Sequence, residues 1–237
     1  MTALVDIQEQ YSHVLLTMDD GKANALSFAM FDALNAALDS AEATGKVLII
    51  AGRPGKFSAG FDLSVMAKAD EDTLRLLRLG ADLSRRLLEF PTPVVLAVSG
   101  HALAMGALLC LSADYRIGIR GSYKLGLNEV AIGMTLPWFG VELARARIEE
   151  TQLTQAVGLA KIYGPEEAVS AGYLDEAVDE AELMSRVTEM AAAFSTLNMD
   201  AHAATKARIR QELFANLETA LRRDFNEDAS AFLKVGR

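Results

Sequence analysis

The chain has 237 residues and a formal net charge of −9, with 23 lysines and arginines against 32 aspartates and glutamates. Apolar side chains make up 51% of the residues, so the chain can bury one compact core, and we expect a single domain. The negative charge argues against a nucleic-acid partner, because nucleic-acid affinity rests largely on lysine and arginine neutralising phosphates.

Cys110 is the single cysteine and lies in an apolar run, which excludes a disulfide within the chain and a Cys/His metal cluster. We therefore expect no metal, and a reducing, cytoplasmic setting. The first ten residues have neither a basic start nor a long apolar stretch, which predicts an untargeted protein. No later apolar run reaches the roughly 20 residues of a membrane span, so we expect no membrane partner.

Apolar strands alternate with amphipathic helices over the first part of the chain. His13–Met18 is β-branched and apolar and is followed by an Asp-Asp-Gly turn, which predicts a strand. Apolar residues at helical spacing predict a helix over residues 28–43, with Ser27 as its N-cap. A buried strand is predicted next, at Val47–Ala51.

The same order of elements recurs further along the chain. Leucine spacing predicts a helix over residues 73–90, which two prolines end, and Val94–Val98 is a short apolar strand. A helix rich in small and apolar residues is predicted over residues 102–113, before a strand at Tyr115–Ile119. Strands that alternate with helices at this spacing predict repeated right-handed crossover units of an α/β fold.

Helical patterns dominate from about residue 137 onward. They predict helices at residues 141–150, 151–163, 165–171, 181–197 and 198–233. The last of these has more apolar residues at helical spacing than a thin domain can cover, among them Leu213, Leu217 and Phe225. We expect an α/β core over residues 1–190 and a helical oligomerisation region over residues 191–237.

Two loops of small residues follow buried strands, at residues 55–63 and 99–107. Small residues at a strand-to-helix turn let a ligand approach the backbone, and the first N–H groups of the following helix have no partner within that helix. Two such donors from separate loops would stabilise the negative oxygen of an enolate. Each loop alone more often indicates close helix packing.

Glu129 is the single acid of a largely apolar strip at residues 122–137. A carboxylate in apolar surroundings has a raised pKa and becomes a stronger base once water is excluded, which suits proton abstraction next to a carbonyl. The alternative is a solvated loop acid, which is the commoner role of a glutamate.

Three segments, in this order and at these separations, resemble the crotonase superfamily, also called the enoyl-CoA hydratase/isomerase family. Residues 57–63 look like its first oxyanion loop, residues 100–107 like the second, and residues 128–133 like the strip that bears a catalytic glutamate. The resemblance implies the ClpP/crotonase-like fold, an α/β spiral of ββα units with a helical C-terminal part. It also implies that this part packs subunits into a homotrimer or a dimer of trimers.

The resemblance assigns roles to particular residues. Backbone N–H groups of Ala59 and Met105 would form the oxyanion hole for the carbonyl of an acyl-coenzyme A thioester, and Glu129 would move the proton. Substrate contacts are implied at Lys22, Ala23, Ala25, Gly60, Phe61, Asp62, Leu63, Leu108 and Asn128. Lys22 and Lys56 are candidates to neutralise phosphates, or are ordinary surface lysines. Coenzyme A is part of the substrate, so no separate cofactor is expected.

Leu108 marks the departure of this sequence from the family's hydratases. Those enzymes have two glutamates, one of them at the position of Leu108, because adding water needs a pair of groups to orient and deprotonate it. With Glu129 alone, the chain is similar to Δ3,Δ2-enoyl-CoA isomerases, in which one base takes a proton from C2 and returns it at C4. A hydratase is the alternative within the family, and a non-catalytic acyl-CoA-binding protein is the alternative outside it.

Other polar and aromatic residues are weaker candidates. His101 beside the second loop could serve as a second acid or base, but it sits in a turn position. Asp62 suits capping of the following turn better than catalysis. Trp138 and Phe139 would wall an acyl pocket or pack in the core. RNA binding, which some family members display, is disfavoured by the acidic balance.

Overall fold

The structure, a computed structural model, describes residues 3–227 and residue 229. Its first half contains β1 (Val5–Glu9), β2 (His13–Met18), β3 (Ala25–Leu26), α1 (Phe28–Glu42), β4 (Val47–Ala51), β5 (Gly55–Ser58), β6 (Gly60–Phe61), α2 (Leu63–Met66), α3 (Glu71–Glu89), β7 (Val94–Val98), β8 (Gly100–Leu103) and α4 (Met105–Ser112). Its second half contains β9 (Tyr115–Ile119), β10 (Leu125–Gly126), α5 (Trp138–Arg147), α6 (Glu150–Leu153), α7 (Pro165–Ala171), β11 (Glu176–Val178), α8 (Leu183–Phe194), α9 (Met199–Ile209) and α10 (Gln211–Arg222).

Six strands form the main sheet, in the order β1-β2-β4-β7-β9-β11. The β1–β2 pair is antiparallel and the other pairs are parallel. A second, parallel sheet has the order β10-β8-β5. Each of β4, β7 and β9 in the main sheet is followed by a strand of the second sheet and then by a helix. The chain therefore repeats ββα units, as the sequence predicts.

Both faces of the main sheet are buried. Leu48 and Ile50 on β4 belong to the larger core, which includes α1, α3 and α4. Ile49, between them, belongs to a smaller core that the buried residues of α8 cover. Strands that are covered on both faces need apolar residues throughout. For this reason β4 and β7 are continuous apolar runs in the sequence.

The helix after the second loop is shorter than the sequence predicts. The predicted helix over residues 102–113 begins instead at Met105, because residues 102 and 103 belong to β8. Glycine is needed at the start of this strand, since a β-carbon at Gly100 would collide with the backbone of Gly55 on β5. The small residues at the start of β8, which in the sequence favour a helix or a loop, are needed here because two strands pair closely.

Two predictions for the second half are also wrong. The predicted helix over residues 151–163 consists of α6, a wide π turn at Thr154–Gly158 and an extended end. At that end Tyr163 and Leu125 exchange backbone hydrogen bonds of 2.9 and 3.0 Å. The fading strand signal also missed β11, whose three residues pair with β9 at the edge of the main sheet.

The predicted helix over residues 198–233 is divided. Two helices, α9 and α10, meet at Arg210. The end of the predicted segment, residue 228 and residues 230–233, lies outside the described residues. Within the described part of the chain, no helix is both long enough and apolar enough to cross a membrane.

Buried ion pairs join α9 and α10 to the body of the fold. The Lys206 ammonium lies 2.6 Å from the Asp114 carboxylate and donates to the Phe90 carbonyl at 3.0 Å. Arg210 donates to the other Asp114 oxygen at 2.7 Å and to the Leu88 carbonyl at 2.6 Å. Leu88 and Phe90 lie at the C-terminal end of α3, where the helix dipole also stabilises cations. These contacts anchor the C-terminal helices.

Candidate active site

The early loop at residues 22–25 lies beside the first oxyanion loop. β3 pairs with β6, with Ala25 opposite Gly60. Asn24 is fully buried and joins the two loops, since its side-chain nitrogen donates to the carbonyls of Lys56 at 3.2 Å and Phe57 at 3.1 Å. Its φ of 52° is a conformation in which asparagine is enriched. The predicted contact residues of the two loops are thus brought together by a residue that the sequence analysis gave no role.

Asp20 holds the shape of the early loop. Its carboxylate accepts from the backbone N–H groups of Lys22 at 2.7 Å, Asn24 at 2.9 Å and Ala25 at 3.0 Å. Burial alone would raise the pKa of Asp20, but these hydrogen bonds outweigh it and the pKa lies below its usual value. The Lys22 side chain beside it is exposed to solvent.

The N–H of Ala59 is already engaged. It donates to the Ala23 carbonyl at 3.0 Å, which contradicts the predicted role of Ala59 as an oxyanion donor. Three residues later, the N–H of Asp62 donates to the Leu26 carbonyl at 3.2 Å. Neighbouring N–H groups of a strand point to opposite sides, so the N–H of Phe61, the residue before Asp62, faces away from β3. Phe61 is therefore the donor that this loop offers to the site.

Met105 supplies the first N–H of α4, which has no acceptor within the helix. The first loop reaches this point, because a β-carbon at Gly60 would lie 3.1 Å from the Met105 nitrogen and 2.9 Å from the Leu103 carbonyl oxygen. With its φ of +93° and this close approach, the position requires glycine. The backbone that carries the Phe61 N–H thus adjoins the start of α4.

Asp62 and Leu63 end the first loop. The Asp62 carboxylate caps α2 by accepting from the Ser64 N–H at 2.8 Å and from its hydroxyl at 2.7 Å. Hydrogen bonding from the Ser64 side chain is the main reason that the pKa of Asp62 is lowered. The capping role predicted for Asp62 is confirmed. Leu63 is 69% exposed, so its apolar side chain is open to a ligand.

Glu129 is buried, with 7% of its surface exposed, and its Oε2 has no hydrogen-bond partner among the described residues. Burial raises the pKa of Glu129 to about 7. Its carbonyl accepts from the N–H groups of Ile132 at 3.1 Å and Met134 at 2.9 Å, which folds the strip into a turn. The raised pKa is the one that the apolar strip predicts, and a solvated loop acid is excluded.

Leu108 is fully buried on α4, one turn after Met105. α5 packs closely against it, since a β-carbon at Gly140 would lie 3.4 Å from Leu108 Cδ1 and 3.1 Å from Leu136 Cδ1. An apolar wall of Leu108, Leu136 and α5 therefore stands where the resemblance places the first glutamate of a hydratase.

Two further polar side chains are buried in this part of the fold. Asn128, partly buried beside Glu129, has a buried side-chain oxygen without a hydrogen-bond partner among the described residues. Tyr173 is fully buried, and its hydroxyl lies beside the backbone of Leu127. Burial is the main reason that the pKa of Tyr173 lies far above its usual range, and the charges of Tyr163 and Glu129 add to it. Unpaired buried polar groups are rare in proteins and are typical of functional sites.

His101 and Cys110 are less suited to catalysis. His101 Nδ1 accepts from the Lys124 backbone N–H at 3.0 Å, and burial, with the charges of Lys56 and Lys124, lowers the pKa of His101. Burial raises the pKa of the Cys110 thiol to about 12, so it is a core side chain, as predicted. Within the described residues, no three His, Cys, Asp or Glu side chains are grouped as metal ligands.

Residues 8–234 match the family model described as enoyl-CoA hydratase/isomerase. A probable enoyl-CoA hydratase of Bacillus subtilis (strain 168) is 31% identical over 186 residues, which cover 76% of this chain and 72% of that protein. An enoyl-CoA hydratase/isomerase family protein from Pseudomonas syringae has a structure with a TM-score of 0.93 at 42% identity, covering 94% of this chain and 97% of that one. A protein of Mycobacterium tuberculosis, described as an enoyl-CoA isomerase with one structure and as a probable enoyl-CoA hydratase with another, has a TM-score of 0.91 at 40% identity in the first, covering 96% of this chain and 100% of that one.

These relatives include proteins described as hydratases and proteins described as isomerases. They agree on the fold, an α/β spiral of ββα units followed by helices, which confirms the predicted fold class. The chain therefore belongs to the enoyl-CoA hydratase/isomerase family of enzymes, the crotonase superfamily that its three motifs resemble.

Proposed function

We propose that this protein converts 3-enoyl-CoA to 2-enoyl-CoA, with Glu129 as its single acid–base group. The observation that supports this reaction most is the contrast between Glu129, buried with a pKa of about 7, and the apolar Leu108. Moving a double bond needs one base, whereas adding water needs a second group to orient the water. The pair of residues therefore favours isomerisation over hydration.

In the proposed reaction, the Glu129 carboxylate takes a proton from C2 of the 3-enoyl thioester. The electron pair of the broken C–H bond moves toward the thioester and forms a dienolate, whose negative charge lies on the carbonyl oxygen. The N–H groups of Phe61 and Met105 donate hydrogen bonds to that oxygen. The Glu129 carboxyl then returns the proton to C4, which leaves the double bond between C2 and C3 and restores the carboxylate.

The pKa of Glu129 suits this shuttle. A catalytic base is most effective when its pKa lies near the working pH, because it is then largely ionised and still a strong proton acceptor. A value of about 7, raised by burial, meets both conditions at neutral pH. An ordinary exposed glutamate would be ionised but a much weaker base.

The coenzyme would lie along the two neighbouring loops. On one side are the backbone of Ala23 and Ala25 and the exposed ammonium of Lys22, which would neutralise a phosphate. On the other side are residues 60–63 of the first loop, with the exposed Leu63 side chain. The Asn128 side chain, whose oxygen has no partner among the described residues, would contact the substrate.

We propose that the protein assembles as a homotrimer or dimer of trimers in the cytoplasm, with residues 1–190 as the acyl-CoA-binding core. Residues 191–237 would form the interface. Apolar side chains of this region that are exposed in the single chain, Leu197 and Ile209, support the assignment. Sedimentation equilibrium measures the assembly, and a monomer at micromolar concentration would contradict it.

Ultraviolet absorbance tests the reaction. The protein is incubated with a 3-enoyl-CoA and, separately, with a 2-enoyl-CoA in water. We expect conversion of the first without hydration of the second, and no conversion by Glu129→Gln. Fast hydration of the second substrate would identify a hydratase instead. Tight binding with neither reaction would favour a non-catalytic acyl-CoA-binding protein.

A matched pair of variants tests the role of Leu108. Leu108→Glu restores a carboxylate at the position where the family's hydratases have one, and Leu108→Gln has the same size without the charge. We expect hydration of 2-enoyl-CoA to appear in Leu108→Glu alone. Equal hydration by both variants, or by the wild type, would contradict the assignment.

A further inference from the structure

The helix α5 has no N-terminal cap of its own. Its N-cap residue is Pro137, which offers no side-chain acceptor, and its first turn has no acidic residue. Two N–H groups of this turn are accepted instead by Asp224, which follows α10 in the turn Arg223–Glu227. The Asp224 carboxylate accepts from Trp138 at 2.8 Å and from Phe139 at 2.9 Å. A residue far along the chain therefore fixes the start of α5.

Asp224 is fully buried, so its charge must be compensated. Two charge-assisted hydrogen bonds and the positive end of the α5 dipole provide that compensation. Its neighbours in the turn add two contacts: the Arg223 guanidinium lies 4.8 Å from the centre of the Trp138 ring, and Arg78 on α3 lies 5.4 Å from that of Phe225. Three consecutive residues thus tie the end of α10 to α5 and α3.

The first turn of α5 packs against Leu108, where the resemblance places the first glutamate of a hydratase. Gly140, in this turn, packs against Leu108 and Leu136. Trp138 begins the turn and is 38% exposed, four residues after Met134, whose N–H is bonded to the Glu129 carbonyl. An acyl chain that extends beyond the reacting carbons therefore has the α5 turn, with the Trp138 ring, beside its path.

We propose that Asp224 is a positioning residue for the acyl-chain part of the site, and that Trp138 contacts the chain of medium-length acyl-CoA thioesters. The proposal rests on the proposed function, because that function places the thioester at Phe61 and Met105. Asp224 acts through the backbone of α5 and touches neither the thioester nor the reacting carbons.

Trp138 is the single tryptophan of the chain, so its fluorescence reports on this turn directly. Butyryl-CoA and decanoyl-CoA, which are saturated and have no double bond to move, serve as binding probes. In the wild type we expect decanoyl-CoA to protect Trp138 from acrylamide quenching, and butyryl-CoA to bind without doing so. Binding of decanoyl-CoA that leaves the quenching unchanged would overturn the proposal, whatever the variants do.

Asp224→Asn removes the charge and keeps the shape, and Glu218→Gln on α10 is the matched exposed control. Asparagine keeps one acceptor and turns a donor toward the other N–H group, so we expect Asp224→Asn to increase the quenching of Trp138 without ligand and to weaken decanoyl-CoA binding about tenfold, the size of one lost capping hydrogen bond. Butyryl-CoA affinity should change less than about twofold, because its short chain does not reach the α5 turn. Equal loss for both ligands, or wild-type quenching in the variant, would overturn the positioning role.

The turnover assay separates this proposal from the proposed function. Protection of Trp138 by decanoyl-CoA in a protein that moves no double bond would support the acyl-chain wall and overturn the isomerase. If the protein turns over 3-enoyl-CoA and Asp224→Asn leaves the KM values for short and long chains unchanged, the isomerase is supported. The positioning role of Asp224 is then overturned. The same variant should raise KM for the long chain and leave kcat nearly unchanged.

Discussion

Glu129 is a buried carboxylate and Asp114 a half-buried one, and their surroundings are opposite. Asp114 lies within 2.7 Å of two cations, Lys206 and Arg210, and also accepts from the Val94 N–H at 2.8 Å. Glu129 is buried without a charged partner among the described residues, and one of its oxygens has no hydrogen-bond partner among them. The Asp114 carboxylate thus has charged hydrogen-bond partners, and the Glu129 carboxylate has none among the described residues.

The difference separates an acid that stabilises the fold from one that can react. Two cations and a backbone N–H use the oxygens of Asp114 to join distant parts of the chain. A buried carboxylate without such partners has its proton affinity raised and costs free energy to keep charged. Loss of Asp114 should therefore affect folding, and loss of Glu129 should affect the reaction.

The largest effect is expected for Glu129→Gln on isomerisation. Glutamine has the same shape but cannot accept the C2 proton, so kcat/KM should fall by about 10²–10⁴-fold, the usual contribution of a general base. Spectrophotometric rates with a 3-enoyl-CoA measure it. Glu180→Gln, in an exposed turn, is the control and should keep wild-type rates. If kcat/KM of Glu129→Gln were within tenfold of the wild-type value, the base would be another residue.

Asp114→Ala should have its effect on stability. The variant leaves Lys206 and Arg210 buried without their carboxylate, and breaking a buried ion pair in this way costs about 3–5 kcal/mol. Urea denaturation measures the free energy of unfolding. Asp82→Ala removes an exposed pair with Arg78 and should cost less than about 1 kcal/mol. If Asp114→Ala and Asp82→Ala lost similar free energies of unfolding, the ion pairs of Asp114 would contribute no more to stability than the exposed pair does.

Glu129 should also make stability depend on pH. Its pKa is about 7 in the folded chain and near 4.5 when unfolded, so the folded state binds this proton more tightly. The stability that the proton provides is complete below pH 4.5 and lost as pH rises to about 7, by about 3 kcal/mol.

Glu129→Gln isolates this contribution, because it is neutral at every pH. Its free energy of unfolding, relative to the wild type, should therefore rise between about pH 5 and pH 8. Urea denaturation across this range measures the difference. Parallel curves for the two proteins would show that Glu129 has no raised pKa in the folded state.

Elements with local patterns were predictable from the sequence. The strands β4 and β7 are continuous apolar runs, and α1 and α3 have apolar residues at helical spacing. The strands β5, β6 and β8 have few apolar residues and form because distant segments pair, as Gly55 does with Gly100. Such pairing leaves no periodic signal within either segment.

The same limit applies to the candidate site. The apolar strip predicts the raised pKa of Glu129, but the burial that causes it comes from the folded chain, since Val130 and Ile132 beside it are exposed. The choice between Ala59 and Phe61 as donor depends on which N–H groups the early loop engages, which only the folded chain reveals. The capping of α5 by Asp224 joins residues that are 85 and 86 positions apart in the sequence, and no local capping pattern extends so far.

The smallest expected effect is the pH dependence of catalysis, which links the reaction to the pKa of Glu129. The carboxylate must be ionised to take the C2 proton, so kcat/KM should rise with pH and level off above about 7. At pH 6 the rate should be about tenfold below its plateau, since one pH unit below a pKa leaves roughly a tenth of the group ionised. A midpoint near 4.5 would mean that the bound thioester leaves Glu129 solvated, and the contrast between the two acids would then be confined to the ligand-free enzyme.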